Sequence, residues 1–282
     1  MNKMTKKILT VLLIIAVPYI LVSSAIRHFG FGTGFGIIVL ICAGLFLYFK
    51  APIYTFVGRV KYSKDHDEGF KWLEKAYKTY KMSPQQSLIY AYLLLRDGHL
   101  DKAERLITSV LHQNGETLTK QNLLAADLNM AIVKWKKNDL KGAIEKLEEV
   151  YDSGYRSTVH YGTLGAFYIM NNQLERAEDF CKEALEFNSS DASIRDNLGL
   201  LYIKKGDFDK AEEIYASLFA DTEPDFIEAP YNYGRVLEHK GDLEGAFSYY
   251  QRAAGCPEKY LSTVKLGQVN ASLSRVEAQI KG

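Results

Sequence analysis

Apolar and polar positions recur along this chain in one short phrase. The phrase consists of a Gly or Asn, a polar residue, an apolar residue, two mostly polar residues and an alanine. It occurs five times, at Gly98–Ala103, Asn138–Ala143, Asn172–Ala177, Gly206–Ala211 and Gly241–Ala246. The alanines are 40, 34, 34 and 35 residues apart. A period of this length indicates an array of stacked units rather than one globular core.

Each unit is predicted to be a pair of helices. Gly and Asn tolerate the left-handed backbone that ends a helix, so a turn is expected at the start of each phrase. Twelve residues before each alanine stands a small residue, which is expected to meet the alanine of the second helix and so lets the two helices approach closely. These small residues are Ala91, Ala131, Gly165, Gly199 and Gly234. Apolar residues such as Leu198 and Tyr215 fill the remaining seam positions at helical spacing.

The two ends of the array continue its pattern. Gly69 lies 34 residues before Ala103 and is followed in phase by Leu73 and Ala76, which predicts a junction and half repeat over residues 51–83. After Pro257, apolar residues alternate in steps of three and four, at Leu266, Val269, Leu273, Val276 and Ile280. We therefore expect an all-α solenoid of about five helix pairs over residues 84–258, with a capping helix over residues 259–282.

The unit around Ala177 carries a family resemblance. Its positions hold an aromatic residue, Leu, Gly, Tyr, Ala, a packing residue and Ala, namely Tyr161, Leu164, Gly165, Tyr168, Ala177, Cys181 and Ala184. In this order the chain resembles the tetratricopeptide repeat (TPR) family, whose pattern has an aromatic residue at the Cys181 position. The resemblance implies a superhelical array that binds proteins or peptides in a groove. In outline the chain is similar to membrane-tethered members that regulate envelope biogenesis, although it lacks the four-cysteine module of some of them.

The N-terminal segment has the composition of a membrane anchor. Residues 8–26 form one uncharged run and residues 29–49 a second, each long enough to cross a bilayer core. We predict a transmembrane hairpin over residues 1–50, with a cleaved signal peptide as the alternative for the first run. Lysines and arginines flank both ends, which favours a cytoplasmic location for both termini. The expected location is a cell membrane, with multiple spans, a cytoplasmic repeat domain and a bacterial source.

Charge separates the same two regions. Residues 1–64 hold eight Lys or Arg and no Asp or Glu, which leaves 27 basic and 34 acidic residues for the rest of the chain. The near-neutral total of +1 therefore combines a basic anchor with a body of net charge −7. A basic segment beside a membrane also favours anionic headgroups, but the topology signal alone explains it.

The chain shows no pattern that points to catalysis. Its three cysteines have no CxxC spacing, its six histidines form no HExxH pair, and its glycines do not match a phosphate-binding loop. The acidic stretch Asp65–Glu68 could suggest a metal, but its position at a predicted turn favours a helix cap. We expect no enzyme activity, cofactor, metal site or small-molecule substrate, and no nucleic-acid partner.

Candidate binding residues lie on one face of the predicted first helices. Fourteen residues before the alanine, three units carry asparagine, at Asn129, Asn197 and Asn232. An amide offers a donor and an acceptor to the backbone of an extended peptide. Basic residues share this face, at Lys136, Lys204 and Arg235, and favour an acidic peptide. The alternative is that all six are ordinary solvated helix residues.

One known binding mode is not matched. Asn197 occupies one place of the carboxylate clamp found in chaperone-binding relatives. Its other places hold Gly162, Ala166, Glu228 and Asn232 instead of the expected Lys, Asn, Lys and Arg. The sequence thus favours a membrane-anchored scaffold or adaptor for a protein or extended peptide. The alternative is an accessory subunit of a membrane transport, secretion or envelope-biogenesis machine.

Overall fold

The computed structural model describes residues 3–80, 82–114 and 117–282, and these residues form thirteen α-helices. Contacts divide the chain into two compact units, Met1–Ser83 and Pro84–Gly282. The helices are α1 Lys3–Tyr62, α2 His66–Tyr77, α3 Pro84–Arg96, α4 Leu100–Asn114, α5 Lys120–Lys136, α6 Leu140–Asp152, α7 Thr158–Met170, α8 Leu174–Phe187, α9 Ala192–Lys205, α10 Phe208–Asp221, α11 Glu228–His239, α12 Leu243–Gly255 and α13 Leu266–Lys281.

The first unit consists of the long helix α1 and the short helix α2. Helix α1 is interrupted at Gly30, where φ is 75° and ψ is 165°. Its last turns pack closely on α2, since a β-carbon at Gly69 would lie 2.5 Å from Cα of Tyr62. Asp65 caps α2 by accepting a hydrogen bond from the backbone N–H of Glu68, as its position at the turn predicted.

One helical stretch among the described residues is long and apolar enough to cross a membrane, Phe35–Tyr62. Large apolar side chains are exposed along it, including Leu40, Tyr48 and Phe56. The predicted hairpin of two spans is not supported. Helix α1 continues through the expected Arg27–His28 turn. The side chains of the first predicted span, residues 8–26, lie for the most part outside the described residues.

The second unit stacks the predicted helix pairs, from α3–α4 to α11–α12. The turn prediction is confirmed at every phrase, because Gly98, Asn138, Asn172, Gly206 and Gly241 all have positive φ, between 57° and 83°. The aspartate after the Gly or Asn then caps the second helix in three pairs, at Asp139, Asp207 and Asp242. The first spacing between repeated alanines, 40 residues instead of 34 or 35, is longer because α4, α5 and the connection between them are longer.

Close approach within the pairs differs in detail from the sequence expectation. We expected a small residue on one helix to meet the repeated alanine of the other. In the α9–α10 and α11–α12 pairs, the glycine instead lies under a tyrosine four residues beyond that alanine. A β-carbon at Gly199 would lie 2.5 Å from the Tyr215 ring, and one at Gly234 would lie 2.7 Å from the Tyr250 ring. The large tyrosine side chain therefore leaves room only for glycine at the facing position of the first helix.

The chain ends in a loop and a capping helix. The loop, residues 256–265, is called the C-terminal loop below. Helix α13 follows it and buries Val269 and Val276 against the last repeat. The predicted cap began at residue 259, whereas the helix begins seven residues later. Side chains of Ser262 and Glu258 accept hydrogen bonds from backbone N–H groups of the loop and of Leu266, so this backbone is satisfied without a helix.

Candidate binding face

The first helices of the pairs lie along one side of the array. Helix α3 packs on α5, α7 packs on α9, and α9 packs on α11. Between α5 and α7 the contact is looser and includes the rings of Trp135 and Phe167, whose centres are 5.2 Å apart. Each second helix contacts the first helix of its own pair and the first helix of the next pair. The face lined by α3, α5, α7, α9 and α11 is called the inner face below. All six predicted binding residues belong to these helices.

Two of the predicted asparagines tie neighbouring first helices together. Asn129 is 6% exposed, and its Nδ2 donates a hydrogen bond to the carbonyl of Leu88 at 3.0 Å. Asn197 is 7% exposed and donates in the same way to the carbonyl of Gly162 at 2.7 Å. These amide nitrogens already serve the fold, because a buried amide without a partner would cost stability. Their role in peptide binding stays a prediction.

The third asparagine belongs to a buried polar network between α9, α10 and α11. Asn232 donates from Nδ2 to Oδ1 of Asp196 at 3.1 Å, and the Tyr215 hydroxyl donates to the same oxygen at 2.8 Å. Arg235 in turn donates to Oδ1 of Asn232 at 3.2 Å. Burial raises the pKa of Asp196 to about 7, although the two donors oppose this shift. Burial also raises the pKa of Tyr215 far above its ordinary value.

The two predicted lysines occupy the same repeat position but different surroundings. Lys204 is exposed at the end of α9. Lys136 is half-buried at the end of α5, where its Nζ donates to the carbonyl of Tyr260 in the C-terminal loop at 2.6 Å. Burial, with a smaller contribution from the charge of Lys265, lowers the pKa of Lys136 to about 8. The inner face is therefore not a uniform basic row.

Sequence reasoning did not find three residues that shape this face. Asp196, Tyr215 and Tyr260 all contact predicted site residues. The sequence held a weak indication of Asp196 and Tyr215. A carboxylate on a helix that is predicted to be buried needs a hydrogen-bond donor nearby, and a buried tyrosine hydroxyl needs a partner. Tyr260 carried no local signal, since its contact with Lys136 joins positions 124 residues apart.

Comparison with known proteins agrees with this architecture. The family profile of the tetratricopeptide repeat matches residues 128–192 and 197–260. These two stretches are similar to tetratricopeptide repeats. A curated relative, the BBSome complex member BBS4 of Bos taurus, is 27% identical over 99 residues. This stretch is 35% of the chain and 19% of that protein, so the chain spans about a fifth of the relative's length.

Solved structures show the same fold at low identity. A tetratricopeptide repeat protein from Parabacteroides merdae has a TM-score of 0.64 at 13% identity, covering 81% of this chain and 85% of its own. The thermophilic TPR protein TTC0263 of Thermus thermophilus has a TM-score of 0.55 at 21% identity, with coverage of 70% and 100%. Pseudomonas aeruginosa pilF has a TM-score of 0.56 at 14% identity, with coverage of 83% and 99%. The all-α solenoid fold is thus established.

Proposed function

We propose that this chain is a membrane-anchored adaptor that holds a protein or extended peptide on the inner face of its repeat array. The observation that carries the proposal is the array itself, in which first helices pack on one another from α3 to α5 and from α7 through α9 to α11. A surface built from several repeats suits an extended partner, because each repeat adds a similar set of contacts along the same direction.

Polar groups on the inner face support a peptide partner of acidic character. Lys204 is exposed, and Arg235 is half-buried with one guanidinium nitrogen bound to Asn232. A guanidinium carries five N–H donors, so further donors remain for a carboxylate of the partner. The domain as a whole is acidic, and these basic groups on its inner face would favour the correct approach of an acidic segment.

The stretch Phe35–Tyr62 supports attachment to a membrane. Its residues up to Phe49 are uncharged, and Lys50, Arg59 and Lys61 follow. Exposed apolar side chains over several helical turns favour a lipid environment over water. By the distribution of lysine and arginine, we place the repeat array on the cytoplasmic side of a bacterial membrane.

Site-specific cross-linking tests the adaptor role. A photoreactive amino acid at Lys204 should capture a discrete partner in intact cells, because this position is exposed on the inner face. The matched control is Ala216, which is exposed on the second helix of the same repeat. Equal capture at both positions, or capture at Ala216 alone, would contradict binding on the inner face.

Extraction with alkaline carbonate tests the anchor. The full chain should remain with the membranes, and Leu40→Asp with Leu45→Asp should release much of it, since each aspartate costs about 3 kcal/mol near the centre of a bilayer. A cysteine at Ser189, in a Cys256→Ser background, should resist an impermeant reagent added to intact cells. Labelling of that cysteine without lysis would place the array on the opposite side.

A further inference from the structure

The C-terminal loop makes a contact far from its own place in the array. It follows α12 in the last repeat, yet Tyr260 reaches the ends of α3 and α5 in the first two. A β-carbon at Gly98 would lie 3.1 Å from Cδ2 of the Tyr260 ring. The Lys136 ammonium lies 4.7 Å from the centre of the same ring. The tyrosine therefore sits between a glycine turn and a lysine.

The seat of Tyr260 consists of Gly98 and Lys136, which contact the tyrosine, and of Trp135, whose ring contacts the Lys136 ammonium. Gly98 has φ of 83° and no side chain, so the ring can lie close to the backbone of the α3–α4 turn. Lys136 Nζ also lies 4.0 Å from the centre of the Trp135 ring. One ammonium thus contacts two aromatic faces and a main-chain carbonyl, which fixes the lysine in one position.

The rest of the loop is held independently of the seat. Val264 is 7% exposed and packs with Ile227 and Val269 at the end of the array. The backbone N–H of Thr263 donates to Oε1 of Glu228 at 2.7 Å, and that of Ser262 donates to the carbonyl of Lys259 at 3.0 Å. Tyr260 itself remains 37% exposed. Its ring could therefore leave the seat while α13 stays in place.

The chemistry of the seat suits recognition of a peptide. A main-chain carbonyl is present in every residue, so the bond from Lys136 recognises an extended backbone without regard to sequence. The ring on Gly98 and the ammonium above it select an aromatic side chain. A peptide needs this combination of a general contact and a selective one in order to bind in a defined register.

We propose that the seat formed by Gly98, Trp135 and Lys136 is a binding site for an aromatic residue of an extended peptide segment, and that Tyr260 occupies it from within the same chain. The inference deepens the proposed function, on which it rests, by naming the side-chain class of the ligand. A partner segment binds by replacing Tyr260. Because the loop is tethered, its effective concentration at the seat is in the millimolar range, which sets the competition that a partner overcomes.

Occupancy by Tyr260 is tested in the full chain, kept in mild detergent because of its apolar N-terminal stretch. Trp72→Phe leaves Trp135 as the single tryptophan, which makes it the reporter. Tyr260→Ala and Lys136→Met should each raise acrylamide quenching of Trp135 about two-fold relative to this parent. The matched control is Lys137→Met, which removes the neighbouring lysine that pairs with Glu104. Unchanged quenching in Tyr260→Ala would show that the ring does not cover the seat.

Recognition is tested with two blocked tripeptides as probes, acetyl-Lys-Tyr-Leu-amide and acetyl-Lys-Ala-Leu-amide. With Tyr260→Gly in the Trp72→Phe parent, the tyrosine peptide should bind with a millimolar Kd, at least about five-fold tighter than to the parent itself. The alanine peptide should bind at least about five-fold more weakly than the tyrosine peptide, and adding Lys136→Met should reduce binding by a similar factor. Equal binding of the two peptides, equal binding to parent and variant, or no saturable binding up to about 20 mM would each overturn the proposal.

A measurement without substitutions guards against misfolding of the variants. The tyrosine peptide at about 20 mM, added to the unaltered chain, should increase hydrogen exchange of the loop amides around Ser262, and the alanine peptide should not. Equal exchange with both peptides would contradict replacement of Tyr260. Failure of these tests leaves the cross-linking experiment at Lys204 unaffected, because that position lies on α9, outside the seat.

Discussion

Two neighbouring seams of the array use the same small residue for different reasons. In the α7–α8 pair, a β-carbon at Gly165 would lie 3.3 Å from Nδ2 of Asn197 and 3.6 Å from Sγ of Cys181. In the α9–α10 pair, a β-carbon at Gly199 would lie 2.5 Å from the fully buried ring of Tyr215. Glycine is compatible with both seams, but only the second has an aromatic ring in the way.

The difference shows that a repeat pattern records a shared position and not a shared constraint. Cys181 and Tyr215 both stand four residues after the repeated alanine, and the larger side chain leaves no room for a methyl group opposite. Tyr215 gains a hydrogen bond to Asp196 in return. The α9–α10 seam therefore depends on three coupled residues, whereas at Gly165 the nearest side chains, Asn197 and Cys181, stand at 3.3 Å and beyond.

The largest effect is expected for Gly199→Ala. The added methyl group would overlap the Tyr215 ring, and overpacking of a filled core costs about 1–3 kcal/mol. Because the added β-carbon would lie only 2.5 Å from the ring, we expect the upper end of this range, about 3 kcal/mol. The helix propensity of alanine over glycine recovers about 1 kcal/mol. We expect the free energy of unfolding to fall by about 2 kcal/mol in urea denaturation. A stability equal to that of the unaltered chain would mean that the seam is looser than the structure shows.

The next largest effect is expected for Tyr215→Phe. The ring and its packing remain, but the buried Asp196 loses the donor at 2.8 Å. Removing one partner of a buried polar group costs about 1–3 kcal/mol. We expect a loss of about 1.5 kcal/mol at pH 8, where Asp196 is ionised. Cys181→Ser is the matched control, because it changes a buried polar group in the α7–α8 seam, away from the Asp196 carboxylate. Its effect on stability should not follow the ionisation of Asp196.

A gain in stability that depends on pH is expected for Asp196→Asn. The pKa of Asp196 is raised to about 7 in the folded state, so the folded chain holds this proton more tightly than the unfolded chain. Its ionisation therefore destabilises the fold progressively from about pH 4 to pH 7 and by a constant amount above. Asn232 and Tyr215 can still donate to the asparagine oxygen.

Thermal unfolding at several pH values measures this effect. The melting temperature of Asp196→Asn should exceed that of the unaltered chain at pH 8 and equal it near pH 4, and the difference should grow between these two pH values. Subtracting the two curves of melting temperature against pH removes the contributions of other titrating groups, such as the buried His160. A difference that does not change with pH would show that Asp196 is not the titrating group.

The smallest effect is expected for Gly165→Ala. The nearest atoms stand at 3.3 Å and beyond, and Cys181 leaves space that a tyrosine would fill. The propensity gain of about 1 kcal/mol offsets a small shift of Asn197. We expect a change in the free energy of unfolding of less than about 0.5 kcal/mol, measured in the same urea series. A loss as large as that of Gly199→Ala would remove the distinction between the two seams.

Local features of the sequence predicted the fold well. The left-handed residues at Gly98 and Asn138, the cap at Asp65 and the helix pairs follow from short-range chemistry, because a turn or cap depends on residues a few positions apart. The hydrogen bonds of Asn129 and Asn197 to the preceding first helix could not be predicted in this way, because they join residues a whole repeat apart. The sequence predicted that both face away from the second helix of their own pair, but it could not show that a carbonyl one repeat away would accept their amide hydrogens.

The candidate site was less predictable than the fold for a related reason. Lys136 and Lys204 share a repeat position, so pattern alone assigned them one role. The structure separates them, since the C-terminal loop returns to Lys136 and leaves Lys204 exposed. The sequence shows no period that links Tyr260 to the first repeats. Contacts of this kind depend on the superhelical path of the whole array rather than on any one unit.

The bond between Lys136 and Tyr260 also has a consequence for folding. A solenoid whose repeats touch only their neighbours can nucleate anywhere and unravel from either end. Here a contact across 124 residues joins an early repeat to the segment after the last one. Closing so long a loop costs entropy before any contact forms and raises the contact order, which slows folding. Once formed, the contact links the two ends of the array. Unfolding from either end then requires that this contact break first, whereas the terminal repeats of an unlinked array can unfold one by one.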